Sequence, residues 1–186
     1  MSKKAVILLA DGFEDVEAVT PIDYLSRAGA QVIIASISNN LIVTSKWGGI
    51  KLTADITLTE LIKQNDEYDA VIVPGGMPGS ANLAASKEVS ELLLKMSVSK
   101  KLICAICAAP AVVLYPLGLI KGKCFTCYPG MEEKVKEAVW QEKNVVIDDN
   151  IITSRAAGTA GEWSIAIIEK LIDKETAEKI KKAVLL

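Results

Sequence analysis

Short, continuously apolar runs alternate along the chain with stretches in which apolar positions recur every three or four residues. The runs at residues 5–9 (AVILL), 31–37, 69–73 (DAVIV) and 102–106 (LICAI) predict buried strands, and 145–147 and 151–153 predict two late ones. The helical period predicts helices over residues 15–28, 58–64, 87–98, 108–115 and 174–183, the first containing Pro21. Thr159-Ala160-Gly161-Glu162 reads as a capping box opening a helix to about residue 172. Residues 39–55 are the least patterned, and Ile42-Val43-Thr44 with Ile50-Lys51-Leu52 predict a small hairpin around Gly48-Gly49. Strand–helix alternation with apolar strands implies an α/β fold whose mostly parallel sheet is covered by helices on both faces.

Length and charge narrow the classes. The chain has 186 residues and a net charge of -2, and 51% of it is hydrophobic. One domain spanning residues 1–186 is expected. A basic nucleic-acid footprint is not, and disorder is excluded by composition. Residues 102–120 carry no charge and match a membrane span in length, but Pro110, Pro116 and Gly118 favour a buried strand running into a buried helix. No secretory leader is read at the start, because Asp11 cuts the first apolar stretch short. The expected location is cytoplasmic, where the four cysteines are thiols.

The chain contains no histidine. That removes Ser-His-Asp and Cys-His mechanisms, with the protease and amidotransferase activities built on them, and three-histidine zinc sites. Cys104, Cys107, Cys124 and Cys127 form two C-x-x-C pairs, a spacing used by zinc ribbons. The first pair lies in an apolar strand, where residues three apart point to opposite faces, so no metal is expected. Cys104, Cys124 and Cys127 read as small buried hydrophobes.

Cys107 differs because a strand ends just before it and a helix begins just after. Its side chain then stands out at the carboxyl edge of the sheet, as in a nucleophile elbow. Small neighbours Ala105, Ala108 and Ala109 let the turn close. A helix N-terminus favours thiolate by about 1 kcal/mol, against roughly 4 kcal/mol for a three-unit drop, so a further hydrogen-bond donor is required. Glu17 follows the first strand, and a kink at Pro21 would aim it inward, where an apolar pocket would keep it protonated. Gly75 and Gly76 let backbone N–H groups approach a substrate oxygen as an oxyanion hole. Arg155 lies between a late strand and a helix, where it either binds an anion or braces loops.

Together, G-F-E-D-V-E at 12–17, V-I-V-P-G-G at 71–76, A-I-C-A-A-P at 105–110 and T-S-R-A-A-G-T at 153–159 resemble the ThiJ/PfpI superfamily, in the branch of the Parkinsonism-associated deglycase. The resemblance covers nearly the whole chain. It implies a flavodoxin-like three-layer sandwich and a homodimer. It also implies Cys107 as the reactive cysteine, Glu17 as the protonated acid beside it, and Gly75, Gly76 and Ala108 as backbone donors. The family's usual histidine in a T-H-P stretch is replaced by Tyr128 in Cys127-Tyr128-Pro129, where it either donates a hydrogen bond or packs, and Ala156-Ala157 stands where G-P is usual. The expected function is a cofactor-free glyoxalase or deglycase acting on small aldehydes or dicarbonyls. The alternative is a redox sensor or chaperone whose cysteine is oxidised to sulfinate.

Overall fold

The computed structural model describes residues 2–47 and 49–186. In chain order the elements are β1 (Lys4–Leu9), α1 (Asp15–Arg27), β2 (Gln31–Ser36), β3 (Ile42–Thr44), β4 (Lys51–Thr53), β5 (Ile56–Thr57) and α2 (Leu58–Gln64). They continue with β6 (Ala70–Val73), α3 (Gly79–Ala85), α4 (Lys87–Val98), β7 (Leu102–Ile106), a π-helical turn (Pro110–Leu114), β8 (Cys124–Phe125) and β9 (Val139–Trp140). The chain closes with β10 (Val145–Asp148), β11 (Ile151–Ser154), α5 (Ala160–Leu171) and α6 (Lys174–Ala183).

Seven strands form the central sheet in the order β10-β11-β7-β6-β1-β2-β5. All neighbours are parallel except the β10–β11 hairpin. Residues alternate between the two faces along each inner strand. Val6 and Leu8 of β1 and Val71 and Val73 of β6 pack with Leu61 of α2, Leu83 of α3 and Leu93 of α4. Ala5, Ile7 and Leu9 of β1 and Ala70 and Ile72 of β6 pack with Leu25 of α1, Trp163 and Ile167 of α5 and Ile180 of α6. Two helical layers therefore sandwich the sheet, as the apolar runs predicted.

The order in which strands are added reverses at β1. From there β2 lies on one side, while β6, β7 and β11 extend the other. In parallel sheets, ligand crevices form at the carboxyl edge next to such a reversal. The loops after β1, β6 and β7 meet there.

Several local expectations change. Thr159 makes no side-chain cap to α5. Its hydroxyl instead accepts the Ala156 N–H at 3.1 Å and shares a hydrogen bond with Ser154 Oγ at 2.7 Å, while Glu162 accepts from Asn144. The helix expected at 108–115 is the π-helical turn, with Pro110 at its start. Helix α3 begins at Gly79, directly after the loop that follows β6. β3 and β4 pair antiparallel as expected, whereas Gly48 lies outside the described residues. Among the described residues no helix is long and apolar enough to cross a membrane. The uncharged 102–120 stretch is β7 followed by the π-helical turn.

Candidate active site

The candidate site is assembled from three adjacent strand ends. Glu17 lies in the first turn of α1, after β1. Gly75 and Gly76 follow β6, and Cys107 follows β7. Helical side chains tilt toward the N-terminus, so a first-turn residue of α1 points back at the sheet edge. The α1 helix runs without interruption through Pro21, so this tilt, rather than a break in the helix, accounts for the inward aim of Glu17. The Glu14 carboxylate caps the turn by accepting the Glu17 N–H at 2.8 Å.

Cys107 sits at φ +63°, a left-handed backbone that costs a non-glycine residue roughly 1–2 kcal/mol. Neighbouring strands hold it in place. Its N–H donates to Ser154 O at 3.0 Å, and its carbonyl accepts the Tyr128 N–H at 2.8 Å. The thiol is half-buried. Cys104, three residues earlier, is fully buried within β7, and Cys127 is fully buried among the other helical layer.

The two glycines are needed for different reasons. A Cβ on Gly75 would lie 2.5 Å from Glu17 Oε2 and 2.7 Å from Cys107 Cβ, so only glycine fits between the acid and the thiol. Gly76 has φ +91°, and a Cβ there would lie 2.6 Å from the Glu14 N and the Gly12 O. The Gly75 N–H donates to Glu17 Oε2 at 2.9 Å. The expectation that Gly75 offers a free oxyanion donor is thus corrected. Its N–H is committed to the acid, leaving the Gly76 and Ala108 N–H groups beside the sulfur.

Glu17 is fully buried. Burial raises its carboxyl to about 7, with the Glu14 charge adding, while Cys107 and the Gly75 N–H pull the other way. Its second oxygen, Oε1, has no hydrogen-bond partner among the described residues. An ionised buried oxygen without a partner is costly, whereas a protonated carboxyl carries its own donor. Burial also pushes the Cys107 thiol up, the facing Glu17 adds to that, and the Ala108 and Gly76 N–H groups pull it down. Acid and thiol form a coupled pair in which the charge of one opposes ionisation of the other.

A cavity of about 360 Å³ opens beside this pair. Cys107, Glu17, Gly76, Ala108 and Tyr128 line it, together with Glu14, Lys46, Trp47, Met77, Met131, Ala156 and Ala157. Lys46 and Trp47 escaped the sequence reading because they lie in its least patterned segment. The segment just before Trp47 is bound to the loop after β1, the Gly12 N–H donating to Thr44 O at 2.8 Å and the Lys46 N–H to Phe13 O at 2.9 Å. Tyr128 is half exposed at the cavity mouth. Arg155 does not line the cavity. Its guanidinium lies 3.6 Å from Glu142 Oε1.

The model of the DJ-1/PfpI family matches residues 3–170. The chain is 41% identical over 181 residues to Protein DJ-1 homolog B of Arabidopsis thaliana, covering 97% of this chain and 41% of that protein. The chain thus spans about two fifths of the length of that relative. It is 35% identical to the glutathione-independent glyoxalase DJR-1.2 of Caenorhabditis elegans, covering 99% of this chain and 97% of the relative. The solved structure of oxidized Toxoplasma gondii DJ-1 superposes with a TM-score of 0.94 at 35% identity, covering 99% of this chain and 98% of that one.

Proposed function

Because the chain belongs to the DJ-1/PfpI family, we propose that it is a cofactor-free glyoxalase or deglycase that converts methylglyoxal and related dicarbonyls, or early glycated adducts, through Cys107 and Glu17. The observation that carries this reading is the contact of a buried acid raised to about 7 with an elbow cysteine, with Gly75 fitted between them. An acid titrating near neutral pH can both give and take a proton under working conditions.

In the proposed reaction the proton of the pair rests on Glu17 while Cys107 sulfur attacks the aldehyde carbon. The new S–C bond gives a hemithioacetal, and the Gly76 and Ala108 N–H groups stabilise the developing oxyanion. Glu17 gives its proton to that oxyanion, and its carboxylate then takes the C1 proton and returns it to C2 through an enediol. C1 is oxidised by two electrons and C2 reduced by two, so no external oxidant or reductant enters. Water cleaves the resulting thioester, releasing lactate and restoring the thiol. Deglycation would use the same attack and hydrolysis on an adduct.

The test is lactate formation from methylglyoxal by wild type, Cys107→Ser and Glu17→Ala. Loss in both variants supports the reading, and equal rates in all three overturn it. The half-buried state of Cys107 beside a proton donor also favours a second reading, a redox sensor or chaperone in which the sulfur is oxidised to sulfinate. Peroxide titration with intact-mass analysis separates the two. Gain of two oxygens at Cys107 alone, without dicarbonyl turnover, supports the sensor, and uniform oxidation of all four cysteines removes it. The exposed Val16 and Val19 on α1 support a homodimer built on that helix.

A further inference from the structure

A cavity of about 360 Å³ lies within the range that encloses drug-sized ligands, far beyond the needs of a three-carbon dicarbonyl. The surplus is lined away from the acid–thiol pair by Trp47, Met77, Tyr128 and Met131, all aromatic or thioether side chains. Trp47 is 73% exposed, so its indole face is open to a ligand. Lys46 Nζ stands 4.3 Å from the indole centroid, a cation–π distance. Among the described residues no carboxylate lies within ion-pair reach of Lys46. The Lys46 N–H donates to Phe13 O at 2.9 Å, which ties the residue next to Trp47 to the loop that delivers Glu14 and Glu17. An aromatic plate is therefore presented at the cavity, steadied by a cation and registered to the reacting groups.

We propose that Trp47, positioned by Lys46, is a specificity-determining residue that selects 2-oxoaldehydes carrying an aryl group, phenylglyoxal over methylglyoxal. The proposal rests on the glyoxalase reading. The steps balance as before: the aldehyde carbon of phenylglyoxal is oxidised, its ketone carbon reduced, and water releases mandelate.

The experiment compares kcat/KM for mandelate formation from phenylglyoxal with that for lactate formation from methylglyoxal. Aromatic stacking predicts that Trp47→Ala lowers the phenylglyoxal-to-methylglyoxal ratio by about two- to tenfold. Trp47→Phe is expected to keep most of the preference, and Lys46→Met to lose less than Trp47→Ala. An unchanged ratio in Trp47→Ala, with both substrates turned over, overturns the proposal. If wild type turns over neither substrate, the glyoxalase reading fails, and calorimetric binding of mandelate and lactate then decides the role of Trp47. Tighter mandelate binding that Trp47→Ala abolishes supports the aryl-selecting plate, and equal affinities in wild type and variant overturn it.

Discussion

Cys104 and Cys107 lie three residues apart, yet their surroundings share little. Cys104 is within β7, with apolar side chains around it, and burial alone pushes its thiol up. At Cys107 burial is joined by a facing acid and opposed by two backbone N–H groups, in a turn that leaves the residue half-buried beside a cavity. Burial by itself yields an inert thiol. Chemistry requires somewhere for the proton to go and donors for the charge that replaces it, and only the elbow supplies both.

The largest test of that contrast is removal of each sulfur in turn. Cys107→Ala is expected to reduce lactate formation from methylglyoxal by about 10³-fold or more. Cys104→Ala should keep turnover within about threefold and lower stability by about 1 kcal/mol for the lost packing. Similar losses of activity in the two variants would erase the distinction.

Glu17→Gln comes next, with an expected fall in turnover of about 10²- to 10⁴-fold. It also has a stability signature. Burial raises the folded carboxyl from 4.5 to about 7, so the fold binds the proton more tightly than the unfolded chain does. That contribution is complete below pH 4.5 and is lost as pH rises through about 7, a change of up to about 3 kcal/mol. Urea unfolding across this window should show wild type losing stability relative to Glu17→Gln. A wild type that gains on the variant as pH rises would mean the carboxylate is held ionised.

Gly75→Ala probes the space between acid and thiol. The added Cβ forces Glu17 or Cys107 to move, costing about 1–3 kcal/mol in thermal or urea unfolding. Displacing reacting groups by about an ångström lowers turnover by up to roughly 10²-fold. Full activity in this variant would show that the contact can relax without consequence. The smallest effect is expected at Arg155, whose Glu142 partner is mostly exposed. Arg155→Met should cost less than about 1 kcal/mol and change kcat/KM by less than about twofold. A tenfold loss would make Arg155 an anion anchor for the substrate.

Much of this organisation was legible in residue order. The runs AVILL, DAVIV and LICAI specify strands because apolar residues on both faces fit only a covered sheet. Cys107 could be singled out because it falls between such a run and a helical pattern. Glu17 was legible as a candidate, but the cause of its inward aim was misplaced at Pro21. The Thr159 capping signal also misled, because Ser154 and Ala156 compete for the same hydroxyl across a tight turn. Lys46 and Trp47 carried no pattern at all, since Lys46 takes its place from a hydrogen bond to Phe13, more than thirty positions away, and Trp47 lies beside it.

Residue order determined the layered α/β architecture, the elbow and the absence of imidazole chemistry, because periodicity and composition are local properties of the chain. Tertiary structure decided that Gly75 donates to the acid, that Arg155 lies against Glu142 outside the cavity lining, and that an indole stands at the cavity. Those outcomes depend on which strand ends become neighbours in the sheet. That order follows from crossovers between distant segments, and no local pattern encodes the distances they create.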